Sequence, residues 1–448
     1  MRALWSWFIE EVRTMRGAME TETPYRKAVP QTWSTGPGDE DLQVTICGGG
    51  NAAHLLAGLL STRPGLRVNV YAPYGDEAQR MRQGIARRGG IVVVAAEERW
   101  VGRPHRVSAD PSQVVPGSRL VMLALPAFAH EIVLRDIAPY LDEGAWVGAL
   151  PARGGFDWCA FDVLGEKGSS LILFGLQTLP WACRLRTYGE EVALLGTKKR
   201  VDLATWPPHY AGKVARRLSD LLGVRLQPIP NFLSITLANT GQLIHPGVMY
   251  GMFRDWDGHP YAKAPLFYQA VDGSTAQILQ RLSDEVQTLR EVLEHRFPHL
   301  DLSAVRPLDE WLRESYRDAI ADPSTLQSCL VTNRSYAGLN VPMRRADEGL
   351  VPDFRARYLS EDVPYGLVVT RGIAELAGVA TPTMDQVIGW AQARLAREYL
   401  VNGHLQGRDL EASRAPQRYH LETLEAVVKG QEEVSSPVLP AVRVPVRA

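Results

Sequence analysis

The stretch Val44-Thr-Ile-Cys-Gly-Gly-Gly-Asn-Ala-Ala-His54 constrains the fold more than any other part of the chain. A short apolar run, Leu42 to Cys47, reads as a buried parallel strand. It ends in three glycines, and Asn51 to Leu60 then reads as a helix. Strand, glycine turn and helix form the setting in which a G-x-G-x-x-G/A pattern carries meaning. Gly48 allows the tight turn, and Gly50 has no side chain to keep a pyrophosphate away. Ala53 is small enough for the helix to lie close on the strand. The free N–H groups at the helix start favour an anion. A dinucleotide site is expected over Gly48, Gly49, Gly50, Asn51, Ala52 and Ala53; a glycine turn in an unrelated α/β unit is the alternative.

The runs that follow extend the pattern. Arg67–Tyr71, Gly90–Ala95, Leu120–Leu125, Ala145–Leu150 and Ser170–Phe174 are short apolar segments, several stopped by proline. Asp76–Arg88 and Phe128–Leu141 have helical spacing. Alternating apolar strands and amphipathic helices predict a doubly wound, mainly parallel sheet. The pattern changes near Pro228 and Pro230. Beyond Asn231, helices are expected over Ser274–His295, Leu308–Ala321 and Thr383–Leu400. The expected division is an N-terminal extension over 1–40 and a nucleotide-binding domain over 41–231. A helical domain over 232–430 and a disordered tail over 431–448 follow.

Bulk properties exclude several classes. The net charge is -1 over 448 residues, so nothing points to nucleic acid or an anionic membrane. No apolar run reaches the roughly eighteen residues of a membrane span. The four cysteines, Cys47, Cys159, Cys183 and Cys329, form neither a C-x-x-C pair nor a disulfide framework. That usage predicts a reducing, cytoplasmic setting. His295 and His299 are separated by Pro298, so they make no zinc helix, and no metal is expected.

The residues that could carry chemistry are few. Where a ribose-binding acid normally follows the second strand, about 20 residues past the glycines, the chain has Tyr71, Ala72 and Pro73, with Asp76 slightly late. No arginine stands there for a 2′-phosphate, so NAD is expected rather than NADP. Leu125, Pro126 and Ala127 lie where a nicotinamide cofactor would cross the sheet edge. Arg153, just past another strand, either faces a cleft or lies on the surface. His245, before Pro246-Gly247, suits a helix end facing a cleft, although a structural histidine is the commoner role for such a residue. Arg357 and Asp362 read locally as a solvated charged turn.

Six segments together resemble the opine dehydrogenases, the octopine, tauropine, alanopine and strombine type of marine invertebrates. They are Cys47-Gly-Gly-Gly-Asn-Ala-Ala-His54, Leu125-Pro-Ala-Phe-Ala-His-Glu131, Thr178-Leu-Pro-Trp-Ala-Cys-Arg184, Ala264-Pro-Leu-Phe-Tyr-Gln269, Arg357-Tyr-Leu-Ser-Glu-Asp362 and Ala415-Pro-Gln-Arg-Tyr419. The resemblance implies a Rossmann domain followed by an all-α opine dehydrogenase domain, with the active site between them. It implies an NADH-dependent reductive condensation of pyruvate with an amino acid or a taurine-like amine, regenerating NAD during anaerobic glycolysis. It places the catalytic histidine on His245, its aspartate on Asp362 and the associated arginine on Arg357. Thr178 would bind the 2-oxo acid, and Cys183 would line the cleft or simply pack. Where this chain has Arg153, the octopine type carries glutamine. If Arg153 pairs with an acidic end of the substrate, like-charge repulsion excludes arginine as the amine. The expected assembly is a monomer or small homo-oligomer. Competing readings are a ketone reductase of the ketopantoate reductase or glycerol-3-phosphate dehydrogenase kind, and a non-catalytic dinucleotide-binding module.

Overall fold

The computed structural model describes residues 42–96 and 98–429. The expected N-terminal extension (1–40) and C-terminal tail (431–448) lie outside the described residues.

The first strand, β1 (Leu42–Cys47), is central to an eight-stranded sheet. Its neighbours on one side are β2 (Leu66–Tyr71) and, past two strands of a second sheet, β5 (Arg106–Ser108). On the other side lie β6 (Leu120–Leu123), β7 (Trp146–Ala149), β8 (Ile172–Leu176), β11 (Arg200–Trp206) and β12 (Arg225–Pro228). Every pair is parallel except β8 with β11. The strands are almost wholly buried, as expected for a parallel sheet covered on both faces. Helices α1 (Asn51–Leu60), α2 (Glu77–Arg88), α3 (Ala127–Ile137), α4 (Phe156–Leu164) and α5 (Ala211–Leu222) belong to this half. The order reverses between β1 and β6, so a crevice opens at their carboxyl ends. Register aligns Cys47 with both Tyr71 and Leu123, and Leu123 with Ala149. The segments after β1, β6, β7 and β8 therefore emerge along one edge, where α/β proteins bind ligands.

The run at Gly90–Ala95 is a strand, but it does not join this sheet. As β3 (Ile91–Ala95) it pairs with β4 (Glu98–Gly102) and β10 (Glu191–Thr197), and β10 pairs with β9 (Trp181–Thr187). This second sheet packs on α1. A Cβ on Gly58 would lie 2.6 Å from Val93 Cγ2, and one on Gly102 would strike the Gly58 carbonyl.

From Phe232 onward the architecture is helical, with two short two-stranded ribbons. Helices α6 (Phe232–Leu237) and α7 (Thr240–Phe253) lead to the longest, α8 (Gly273–Arg296). Ile278, Leu279, Leu282, Val286, Leu289 and Leu293 of α8 are buried in one apolar cluster. Asp272 caps α8, accepting from the Thr275 N–H at 2.7 Å. Pro246-Gly247 does not end α7. The helix runs through both, giving up one backbone bond at Pro246. Gly247 and Gly251 let α8 come close, since added Cβ atoms would lie 2.6 Å from Leu279 and 2.5 Å from Thr275. His245 is therefore in the helix interior, not at its end. After α9 (Leu308–Ser315) and α10 (Leu326–Val331) come α11 (Arg357–Ser360), α12 (Val368–Ala377), α13 (Pro382–Leu395) and α14 (Leu424–Val428). The expected helices over 308–321 and 383–400 thus stop at Ser315 and Leu395. No described helix is long and apolar enough to cross a membrane.

Candidate active site

The glycine turn has the form a dinucleotide needs. Gly48 takes φ +133°, and a Cβ there would lie 2.7 Å from the Ala124 carbonyl. Above Gly50 nothing lies within 4 Å of a would-be Cβ, and no side chain caps the start of α1. The helix N–H groups and their partial positive charge therefore face open space, which fits a pyrophosphate. Gly48→Ala is expected to cost about 1–3 kcal/mol through strain and overlap and to weaken dinucleotide binding, read by calorimetry alongside thermal unfolding. Unchanged affinity would contradict this role for the turn.

Two side chains fasten the turn to the second sheet. The fully buried His54 donates from Nδ1 to the Gly50 carbonyl (2.9 Å), and its Nε2 accepts from the Gly189 N–H (3.0 Å). Both nitrogens are used by the neutral ring, and burial draws its pKa down to about 4. Asn51 Oδ1 accepts from the Leu185 N–H of β9 at 2.9 Å. Asn51 therefore serves the site as a strut through its side-chain oxygen, and its backbone N–H opens α1. Tyr71, where an acid was sought, donates to Asp136 at 3.0 Å, and Asp76 pairs with Arg80 at 3.5 Å. The carboxyl group nearest the turn belongs to Glu77, whose Oε2 would lie 2.3 Å from a Cβ on Gly49. Burial raises its pKa to about 7, against the pull of Arg80.

Beyond β6 and β7 the edge of the sheet meets the helical half. His245 Nδ1 donates to Asp362 Oδ2 at 2.8 Å, and Nε2 lies 3.3 Å from the Tyr268 hydroxyl. The ring stacks on Tyr358 with centroids 4.2 Å apart, and Tyr268 stacks on Tyr336 at 3.9 Å. The Asp362 side chain is 1% exposed and that of His245 is 21% exposed. A buried carboxylate behind a partly open imidazole fixes the tautomer and steadies the imidazolium, leaving Nε2 to exchange a proton.

Arg153 differs from its expected role. Its side chain reaches Asp362 Oδ1 at 2.6 Å and approaches Glu361 Oε1 at 3.6 Å. Two buried carboxylates lie against its guanidinium. Arg153 holds φ +64°, an unusual backbone state for a residue with a side chain, and these contacts fix it there. Arg357 grips Glu361 Oε2 at 2.5 Å, one residue before Asp362.

Glu361 was missed by sequence reasoning and is central. Besides the two arginines it accepts the N–H of Ala127, the first residue of α3, at 2.9 Å. Burial alone would raise its pKa; Arg357, Arg153 and the Ala127 N–H outweigh that and hold it at about 2. The buried Arg414 completes the join. It donates to the carbonyls of Ala152 (3.1 Å), Gly154 (3.4 Å) and Ala127 (2.9 Å), and to His130 Nδ1 (2.9 Å). His130 Nε2 lies 3.1 Å from the Leu125 carbonyl, and burial and Arg414 draw its pKa to about 3. The Leu125-Pro126-Ala127 edge, expected to meet the cofactor, thus also anchors the helical half through both polar groups of Ala127.

Thr178 lies just past β8 on the same edge, and its hydroxyl accepts from Lys198 Nζ at 2.7 Å. Lys198, also unforeseen, is half-buried; desolvation and the charge of Arg153 bring its pKa down to about 8. Cys183 lies on β9 and packs against the core of the nucleotide-binding half. Burial pushes its thiol up to about 12, so it stays a thiol and not a thiolate.

Residues 228–395 match the family model of the NAD/NADP octopine/nopaline dehydrogenase α-helical domain. The chain is 37% identical over 401 residues to the octopine dehydrogenase of Mizuhopecten yessoensis, covering 88% of this chain and 100% of that one. The chain belongs to the opine dehydrogenase family. It is also 35% identical over 399 residues to the tauropine dehydrogenase of Arabella iricolor, covering 86% of this chain and 99% of the other. An octopine dehydrogenase structure with NADH and L-arginine superposes with a TM-score of 0.81 at 35% identity, over 88% of this chain and all of that one. A ketopantoate reductase shares the fold at a TM-score of 0.53 and 13% identity. Opine dehydrogenases are oxidoreductases acting on CH–NH donors with NAD.

Proposed function

We propose that this opine dehydrogenase joins the carbonyl carbon of pyruvate to the amino group of an amino acid or related amine and reduces the product with NADH. The related octopine dehydrogenase structures hold NADH with pyruvate, L-arginine or agmatine. The observation that carries the reading here is His245, held by Asp362 and Tyr268 where the sheet edge meets the helical half.

Bound NADH supplies the two electrons that reduce the C=N bond. The Gly48–Ala53 turn would hold its pyrophosphate, and the Leu125–Ala127 edge would flank its nicotinamide. His245 has the proton work. Condensation expels the carbonyl oxygen of the 2-oxo acid as water, and that oxygen must be protonated as it leaves. An imidazolium at His245 donates from Nε2, while Asp362 keeps Nδ1–H in place and balances the charge. Arg153 holds Asp362 from its other oxygen, so the carboxylate cannot turn away from His245. Thr178 offers a hydroxyl to the 2-oxo acid. Four free cysteines and no described membrane-spanning helix agree with a cytoplasmic enzyme.

Asp362 and Glu361 balance the charge of Arg153, so like-charge repulsion there does not exclude arginine as the amine. Steady-state rates with pyruvate and NADH against arginine, alanine, glycine, β-alanine and taurine will identify the amine. The expected result is NADH oxidation that depends on one of these amines. Oxidation with pyruvate alone, at the same rate with and without amine, would favour a simple ketone reductase.

A further inference from the structure

Most cations of the cleft already face a carboxylate. Arg153 meets Asp362 and Glu361, Arg357 meets Glu361, and the neighbouring Lys199 pairs with Asp318 of the helical half. Lys198 differs. Its ammonium bonds to the Thr178 hydroxyl, and no carboxylate lies within ion-pair distance of it among the described residues. A second cation, Arg153, lies near enough to disfavour its charge. An ammonium drawn from water with no counterion is costly.

The surroundings hold it in that position. The Lys198 N–H donates to the Pro180 carbonyl at 2.9 Å, which folds the β10–β11 turn back over the segment after β8. Lys199 fixes the same turn to the helical half. Because Thr178 Oγ1 accepts from Lys198, its own proton is directed elsewhere and is available to donate. A positive ammonium with donors to spare and a hydroxyl donor, side by side, match the two oxygens of a carboxylate.

We propose that Lys198 and Thr178 form a carboxylate-binding subsite for one of the two acid substrates, the 2-oxo acid or the amino acid. The inference rests on the reaction proposed above and adds the residue that holds a substrate's anionic end. Lys198 thereby supplies a positive charge that no carboxylate among the described residues neutralises.

The test is Lys198→Met, which keeps the length and apolar stem while removing the charge. Losing one charge-assisted hydrogen bond should raise KM about tenfold to a hundredfold for one substrate, with kcat and the other KM little changed. Neutral analogues separate the two sources. Methyl pyruvate and the carboxamide of the amino acid should each be compared with the parent acid, in the wild type and the variant. The substrate whose neutral form is penalised in the wild type but not in Lys198→Met is the one held. Lys198→Arg should bind better than Lys198→Gln, and that pair decides the matter if the Met variant does not fold. Wild-type protein without amine-dependent NADH oxidation would refute the reaction itself. Amine-dependent activity with both KM values unchanged in Lys198→Met would refute the subsite alone.

Discussion

His245→Ala should bind NADH as the wild type does and lose turnover by roughly a hundredfold to ten-thousandfold, the scale of a lost general acid or base. The ring's place in the structure supports so large a loss. Asp362 fixes Nδ1, Tyr358 stacks on one face, and the position left for proton exchange is Nε2 beside Tyr268. Burial pushes the Tyr268 hydroxyl well above its ordinary range, so it holds its proton and is a poor acid in place of the imidazolium. Cofactor binding, followed by quenching of NADH fluorescence, should persist, because the glycine turn is held by His54 and Asn51 in the other half. Turnover near the wild-type value would remove His245 from the reaction. Lost NADH binding would mean that the residue supports the fold rather than the chemistry.

The two halves of the molecule were unequally legible in the sequence. Buried parallel strands are continuous apolar runs closed by glycine or proline, so β1, β2, β6, β7 and β8 could be located from the chain alone. β3 looks the same in sequence, yet it belongs to another sheet, because its partner β10 lies about a hundred residues away and pairing leaves no local mark. β9 alternates inner and exposed positions, but past Trp181 its inner residues are only half-buried and it carries three charged or polar side chains, so it has no continuous apolar run to mark it. In the site, His245 and Asp362 were named through the family segments, but which carboxylate each arginine would hold was not. One local signal existed: Arg357 and Glu361 are four apart, the spacing that brings side chains together on a helical turn. Arg414 had no such signal, since three of its four acceptors are backbone carbonyls. Lys198, in Thr197-Lys-Lys-Arg200, reads as a solvated charged turn and was hidden by its neighbours.

Glu361→Gln tests whether the join between the halves depends on one carboxylate. The Glu361 side chain is 1% exposed, and Arg153 beside it is 14% exposed. Glutamine keeps the shape and an acceptor for the Ala127 N–H. It removes the charge, leaving Arg153 and Arg357 with an unbalanced positive charge beside a buried amide. Breaking one side of a buried ion pair costs about 3–5 kcal/mol, and denaturant unfolding should register a loss of that order. The pH dependence gives a second, independent sign. The Glu361 pKa is held at about 2, below its ordinary 4.5, so its stabilisation is complete above 4.5 and is lost as pH falls through 2. Wild-type stability should therefore decline across that acid range by an amount the variant no longer has to lose, and the two curves should converge at low pH. Parallel curves would mean that Arg153 and Arg357 are held by something other than Glu361. Because Arg153 also holds Asp362, the variant should lower turnover as well. A loss of stability with turnover intact would separate the anchoring of the halves from the alignment of His245.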